Sequence, residues 1–136
     1  MKEKTYSYDE AFEAALQYFK GDELAARVWV NKYSMKDSYG HIYEVSPEDM
    51  HWRIANEIAR IENKYENPLK AEEIFGLLDH FKYIIPAGSP MTGIGNNHQI
   101  ASLSNCFVIG LDGQADSYGG IIRIDEQANQ AAGKGE

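Results

Sequence analysis

The chain is poor in cysteine, in basic residues and in long apolar runs. It has a single cysteine, Cys106, in 136 residues, which excludes an internal disulfide framework and suits a reducing, cytoplasmic setting. Lys and Arg number 13 against 21 Asp and Glu, for a formal net charge of −8. A general nucleic-acid-binding surface is therefore not expected, because phosphate binding needs clustered basic side chains. No apolar run reaches the roughly 18 residues of a membrane span, and the charged N-terminus does not read as a signal peptide.

What the chain does contain is hydrophobic residues at helical spacing throughout its first 85 residues, which predict a helical domain. Four helices are expected, and the fourth should run to about Tyr83. Local start signals precede the first three: Ser7, Asp22 and Ser46, the last followed by Pro47. The second helix is predicted to bury Leu24, Val28 and Trp29. A loop with a brief extended piece is expected over 34–45.

The histidines do not suggest a metal site, because they are scattered without a shared motif. His51 and His80 have polar neighbours and are expected to face solvent. Paired carboxylates in the first turns of the predicted helices are explained by the helix dipole. No metal ligand is assigned.

The composition changes at Pro86, where a segment rich in Gly, Pro, Ser and Asn predicts a loop. The stretch SLSNCFVIG at 102–110 then predicts a buried strand, and a further helix is expected to begin near Asp116 or Ser117. Residues 128–136 are expected to form a disordered tail. A lone strand leaves its backbone groups unpaired, so the sequence resembles a helical domain followed by the opening of a sheet or barrel.

Two features of this second part allow both a structural and a functional interpretation. Gly93-Ile94-Gly95 lacks the full phosphate-loop spacing, yet its loop could still contact an anion, which keeps Ser89 and Thr92 as candidates. Cys106 is either a small core residue or a reactive thiol. Without a base or a second thiol nearby, hydrolase-type nucleophilic catalysis is not supported.

Four stretches in order resemble the large, catalytic subunit of ribonucleotide reductase, over about residues 8–127. LAARVWVNKYSMKDSYGHIYEVSPEDMHWRIANEIARIE resembles the N-terminal helical domain of that family. FKYIIPAGSPMTGIGNN resembles the segment that leads into its active site. SLSNCFVIG resembles the first strand of its α/β barrel, and DSYGGIIRIDEQ the helix that follows. The implied fold is mainly α: a multihelical domain (1–85), then a loop, the first strand of an incomplete barrel and the start of a helix (86–127).

The resemblance also implies roles for individual residues. Cys106 matches a redox-active thiol whose partner cysteine lies outside this chain. Ser89 matches a residue that binds substrate phosphates, and Asn105 occupies a position that usually holds a substrate-contacting Ser. Asp116, Ser117 and Tyr118 match the start of an allosteric specificity site, where a deoxynucleoside triphosphate binds at a dimer interface.

The sequences of the helices and of the SPMTGIGNN segment resemble those of the adenosylcobalamin-dependent class II enzymes, and class I is the alternative. The cofactor is expected to bind outside this chain. A ribonucleoside-diphosphate reductase is implied, although a triphosphate substrate stays open, and a thioredoxin-like protein is the expected reductant. We expect an N-terminal fragment that is inactive without the remainder of the reductase. The competing hypothesis is a stand-alone helical interaction or regulatory module without catalysis.

Overall fold

The computed structural model describes residues 4–99, 102–104, 108–110 and 117–132. The described residues form six α-helices and one 3₁₀ turn: α1 (Tyr8–Tyr18), α2 (Glu23–Lys32), α3 (Pro47–Glu62), α4 (Ala71–Leu78), the 3₁₀ turn (Asp79–Phe81), α5 (Gly88–Gly93) and α6 (Tyr118–Ala132). The mainly helical fold predicted from the sequence is confirmed. None of the helices in these residues is both long and apolar enough to cross a membrane.

The helix starts follow the predicted caps closely. The Ser7 hydroxyl accepts the backbone N–H of Glu10 while the Glu10 carboxylate accepts that of Ser7, which completes a capping box on α1. Asp22 accepts the N–H of Ala25 at the start of α2. Ser46 occupies the N-cap position of α3 but makes no side-chain cap bond there, and Pro47 opens the helix.

The core lies where α1 packs against α2 and α3 packs against α4. Its apolar members are contributed by every helix from α1 to α5 and by the extended segment near Ile42: Ala11, Ala15, Ala26, Trp29, Val30, Ile42, Met50, Ile54, Ala55, Ile74, Leu78 and Met91. Ile42 also forms single antiparallel bridges with Tyr6 and Lys36, which confirms the brief extended piece expected within 34–45.

Several burial predictions were wrong. Trp29 is buried as expected, but Leu24 and Val28 are exposed, because α2 turns the face of Ala26, Trp29 and Val30 inward. His51 is completely buried rather than solvent-facing, since α3 directs it towards α1 and the 3₁₀ turn. The polar neighbours of His51 in the sequence did not indicate that its side chain would be buried.

The part of the chain after α4 departs most from the prediction. Helix α4 ends at Leu78, short of Tyr83, because His80 and Phe81 adopt left-handed backbone angles that no α-helix can continue. The segment predicted as a loop contains the short helix α5.

The predicted strand is not found in the residues that the structure describes. The described residues 102–104 and 108–110 form no strand, and Val108 is almost fully exposed, whereas the sequence predicted it to be buried. A strand needs a neighbour to pair its backbone groups, and these residues pair with none. Helix α6 continues to Ala132, into the segment expected to be a disordered tail.

Candidate functional site

Helix α5 and the loop after it, residues 88–98, are held together by their own hydrogen bonds. The Thr92 hydroxyl donates to the backbone carbonyl oxygens of Gly88 and Ser89, both at 3.2 Å. The Asn96 amide donates to Thr92 O at 3.1 Å and accepts the N–H of His98 at 2.9 Å. The Thr92 hydroxyl therefore donates to the backbone of α5, whereas the sequence suggested it as a candidate phosphate ligand.

A largely shielded arginine on α3, Arg53, attaches this segment to the helical core. Arg53 donates through Nη2 to Met91 O at 2.8 Å and through Nη1 to Ile94 O. Its Nε donates to Glu44 Oε1 at 2.6 Å, and Glu44 Oε2 accepts the backbone N–H of Met35 at 2.8 Å. A planar guanidinium with several fixed donors suits such a junction, because one side chain can fix two carbonyls and a carboxylate at once.

The ion pair between Arg53 and Glu44 is almost fully shielded from water, with side-chain exposures of 9% and 4%. Buried pairs add little net stability compared with apolar packing, but they are specific about geometry. We therefore assign this pair a positioning role. It fixes the carboxyl end of α5, and through α5 it fixes the place of Ser89.

Gly95 explains part of the Gly-Ile-Gly pattern. Its φ is +70°, and a Cβ at this position would lie 3.0 Å from Arg53 Cγ and 3.3 Å from Glu57 Cβ. Only glycine fits both the left-handed backbone and the close approach to α3. Gly95 is therefore explained by the packing of the loop on α3, which is the structural interpretation of the Gly-Ile-Gly motif.

A cleft of about 610 Å³ opens between α3 and the loop. It is lined by Glu57, Ile58, Ile61, Glu62, Gly93, Ile94, Gly95, Asn96, Asn97, Gln99 and Leu103. The residues of this lining include two carboxylates and no Lys or Arg. Arg60 donates two hydrogen bonds to Glu57, which lower the pKa of that carboxyl and keep it ionised. A phosphate would be repelled from this cleft, so any anion contact by the segment belongs on the Ser89 side of α5.

The predicted site residues fall into three groups. Ser89 lies in α5. The Ser117 hydroxyl accepts the backbone N–H of Gly120 at 3.0 Å and so caps α6, where Tyr118 is 80% exposed. Asn105, Cys106 and Asp116 lie outside the described residues. In the part of the chain that the structure describes, no three His, Cys, Asp or Glu side chains group as metal ligands would.

Arg53 and Glu44 were missed by the sequence reasoning as site residues. A signal was present, since both lie in the stretch that carries the family resemblance, within YEVSPEDMHWR. What could not be read was that the side chains of two residues nine positions apart meet, and that Arg53 then reaches the backbone near residue 94.

Comparison with known proteins identifies the family. The family model described as "Ribonucleotide reductase, all-alpha domain" matches residues 19–99, which extend from the end of α1 through α5 to the far edge of its loop. No curated protein matches the chain, and no solved structure does. The matched range covers more than half of the 136 residues and contains Glu44, Arg53 and Ser89. The chain therefore belongs to the family of the ribonucleotide reductase all-alpha domain, an N-terminal part of the reductase large subunit.

Proposed function

We propose that this chain supplies a ribonucleotide reductase with the helical domain that positions Ser89 for substrate and with the redox thiol of Cys106. The observation that carries the proposal is the attachment of α5 to α3 by Arg53, which fixes the segment that contains Ser89. The family match over residues 19–99 supports the part of the proposal that concerns the helical domain, because the matched range includes Glu44, Arg53 and Ser89.

In the proposed reaction Ser89 binds a substrate phosphate, Asn105 contacts the substrate and Cys106 reduces it. Cys106 and a cysteine from another part of the reductase lose two electrons and two protons and become a disulfide. The ribose 2′-carbon gains a hydrogen as its hydroxyl leaves as water, so the exchange balances. A thioredoxin-like protein then returns the disulfide to two thiols. The proposed substrate is a ribonucleoside diphosphate and the proposed setting is the cytoplasm.

The proposed effector site begins at α6. Asp116, Ser117 and Tyr118 would contact a deoxynucleoside triphosphate at an interface between two copies of the chain. The exposure of Tyr118 supports this role, since it leaves the first residue of the helix accessible. Binding there would select which ribonucleotide is reduced.

We propose a class II enzyme, with adenosylcobalamin supplying the radical that starts the reaction. The cleft beside α3 is lined by carboxylates, amides and aliphatic side chains and contains no His or Cys that could ligate cobalt. The cofactor would bind to other parts of the reductase, and no role of this chain depends on contact with it.

Complementation tests the proposal. The chain is mixed with a reductase polypeptide that carries the rest of the barrel, and reduction of a ribonucleoside diphosphate is measured with a dithiol. Ser89→Ala is expected to raise KM more than it lowers kcat, because it removes a hydroxyl that binds the phosphate in ground state and transition state alike. Ser38→Ala, at an exposed serine between α2 and α3, is the matched control and should leave both constants unchanged. An unchanged KM for Ser89→Ala would contradict the role of Ser89, and activity of the 136-residue chain alone would contradict its dependence on the remainder.

A further inference from the structure

The backbone turns through two successive left-handed residues directly after α4. His80 has φ 53° and Phe81 φ 54°, and neither is a glycine. Elsewhere in the described residues positive φ at non-glycine positions occurs singly, at Lys20 and Asn67. Left-handed backbone is unfavourable for a residue with a Cβ, so a pair of them persists only where surrounding contacts hold it. This turn determines the direction in which the chain leaves α4 for α5.

The contacts that hold the turn come from α1 and α3. Tyr18 Oη accepts the backbone N–H of His80 at 2.6 Å and donates to Asp79 Oδ1 at 3.1 Å, and this Asp79 oxygen, held by Tyr18, also accepts the His80 N–H at 2.9 Å. The Tyr18 ring stacks on the His80 imidazole, with ring centroids 4.6 Å apart. The buried His51 imidazole lies 3.3 Å from Tyr18 Oη through Nδ1, and its ring meets Phe81 edge-on at 4.7 Å.

The hydrogen-bond inventory decides the protonation state of His51. A tyrosine hydroxyl has one proton to donate and two lone pairs to accept with. Since Tyr18 gives its proton to Asp79, the hydrogen bond to His51 requires a proton on His51 Nδ1. His51 Nε2 is then an acceptor, and this atom is buried without a hydrogen-bond partner among the described residues.

We propose that Tyr18, His51 and Asp79 form a latch that holds the left-handed turn at His80–Phe81, and that a proton added to His51 Nε2 opens it. The added N–H would be buried without an acceptor, which folded proteins rarely tolerate. The imidazolium must move towards water, and in moving it leaves both Tyr18 Oη and the ring of Phe81. The turn then loses the contacts that hold it, and the path from α4 to α5 loosens.

The charges around His51 decide how readily this occurs. Burial lowers the pKa of His51 to about 4. The Asp79 carboxylate opposes that effect, whereas His80 from the same turn and Arg53 from α3 reinforce it. Tyr18 contributes no charge, because burial raises the pKa of its hydroxyl far above neutrality, with Asp79 and Glu48 adding to the effect. The latch is closed at neutral pH and opens on acidification.

Hydrogen exchange of the His80 backbone N–H measures the latch directly. In the full 136-residue chain its protection factor is expected to fall between pH 7 and pH 4 by at least about tenfold more than that of Val30 N–H in α2, which follows the stability of the whole domain; tenfold is about the loss of one net hydrogen bond. His51→Asn retains a donor near the position of Nδ1 and cannot be protonated, so it should keep the protection and abolish the pH step. Tyr18→Phe should lower His80 protection about tenfold already at pH 7, and Tyr39→Phe, at an exposed tyrosine, is the matched control.

Three results would overturn the latch. The first is His80 protection that stays within about twofold of wild type in Tyr18→Phe. The second is a pH step that survives in His51→Asn. The third is an acid-induced loss that is equal at His80 and Val30, which would indicate unfolding of the whole domain. The pH series on the unmodified chain decides the question even where a variant fails to fold. The exchange experiment needs no nucleotide. The latch can therefore be refuted while the proposed function is supported, and the proposed function can be refuted while the latch is supported.

Discussion

The helical body formed by α1–α5 and the helix α6 differ in how they bury apolar side chains. In the body, Trp29, Met50 and Ile54 are at most 2% exposed. In α6, none of the described side chains from 118 to 130 is buried, and Ile121 and Ile122 remain 54% and 51% exposed. Most of the stability of a helix in a protein comes from packing of its apolar face. The body therefore stabilises itself, whereas α6 gains little from packing within the described residues. A helix of this kind suits the interface role proposed for it.

The strongest way to test the self-sufficiency of the body is to break its buried ion pair. Arg53→Met leaves the Glu44 carboxylate buried without its charged partner and two carbonyls of the α5 segment without their donor. Removing one partner of a buried pair costs about 3–5 kcal/mol, and urea unfolding followed by circular dichroism would show this loss. The control is Arg60→Met, since Arg60 pairs with Glu57 at the surface with 61% of its side chain exposed. Equal losses for the two variants would contradict the positioning role of Arg53.

A matched pair of isoleucines compares the two regions directly. Ile54→Ala removes a side chain that is 1% exposed, and the resulting cavity should cost about 2–5 kcal/mol of unfolding free energy. Ile121→Ala in α6 removes a half-exposed side chain and should change the free energy by less than about 0.5 kcal/mol. Chemical denaturation of both variants provides the measurement. A comparable loss for Ile121→Ala would show that α6 packs as the body does, and the distinction would fail.

The acid stability of the body depends on His51. Its pKa is about 4 in the folded chain and about 6.5 in an unfolded one. A lowered histidine pKa means that the unfolded state binds the proton more readily. The contribution is therefore complete above pH 6.5, and about 3 kcal/mol of stability is lost as the pH falls to 4. His51→Asn should flatten the curve of unfolding free energy against pH in this window. A curve that His51→Asn leaves unchanged would refute the assignment.

The two regions should also respond oppositely to the same glycine substitution. Gly95→Ala places a methyl group against Arg53 Cγ in a left-handed backbone and should cost about 1–3 kcal/mol. Gly119→Ala meets no atom within 4 Å in α6, so the better helix propensity of alanine should stabilise that helix by up to about 1 kcal/mol. Thermal melts monitored at a helix band would resolve the two signs. Destabilisation by both variants would mean that α6 is more tightly packed than the structure describes.

The parts of the fold that sequence could predict are those with local causes. A cap joins residues three apart, so Ser7 and Asp22 could be recognised as helix starts from their neighbours alone. The positions of four helices followed from apolar spacing for the same reason. The choice of buried face on α2 could not be settled this way, because Val28 and Trp29 are adjacent and only the packing against α1 decides which turns inward.

The parts that could not be predicted depend on contacts between distant residues. His51 was expected at the surface because of its polar neighbours in the sequence, yet it contacts Tyr18, 33 residues earlier in the chain. The left-handed turn at His80–Phe81 has no local signal, since neither residue is a glycine or an asparagine. Ser89 was identified by resemblance, but the Arg53–Glu44 pair that fixes its segment required the tertiary structure. The roles of all the proposed site residues remain predictions: Ser89, Asn105, Cys106, Asp116, Ser117 and Tyr118. Three of them, Asn105, Cys106 and Asp116, also lie outside the described residues.

The measurement that tests the account most directly is the effect of Cys106→Ser on a reductase reconstituted from this chain and a polypeptide carrying the rest of the barrel. Serine is close to cysteine in size but cannot give up electrons to form a disulfide. The account predicts that the dithiol-dependent formation of deoxyribonucleotide is lost in Cys106→Ser while the free energy of unfolding of the 136-residue chain is unchanged. Sustained dithiol-dependent turnover by the serine variant would contradict the assignment of Cys106 as the redox thiol.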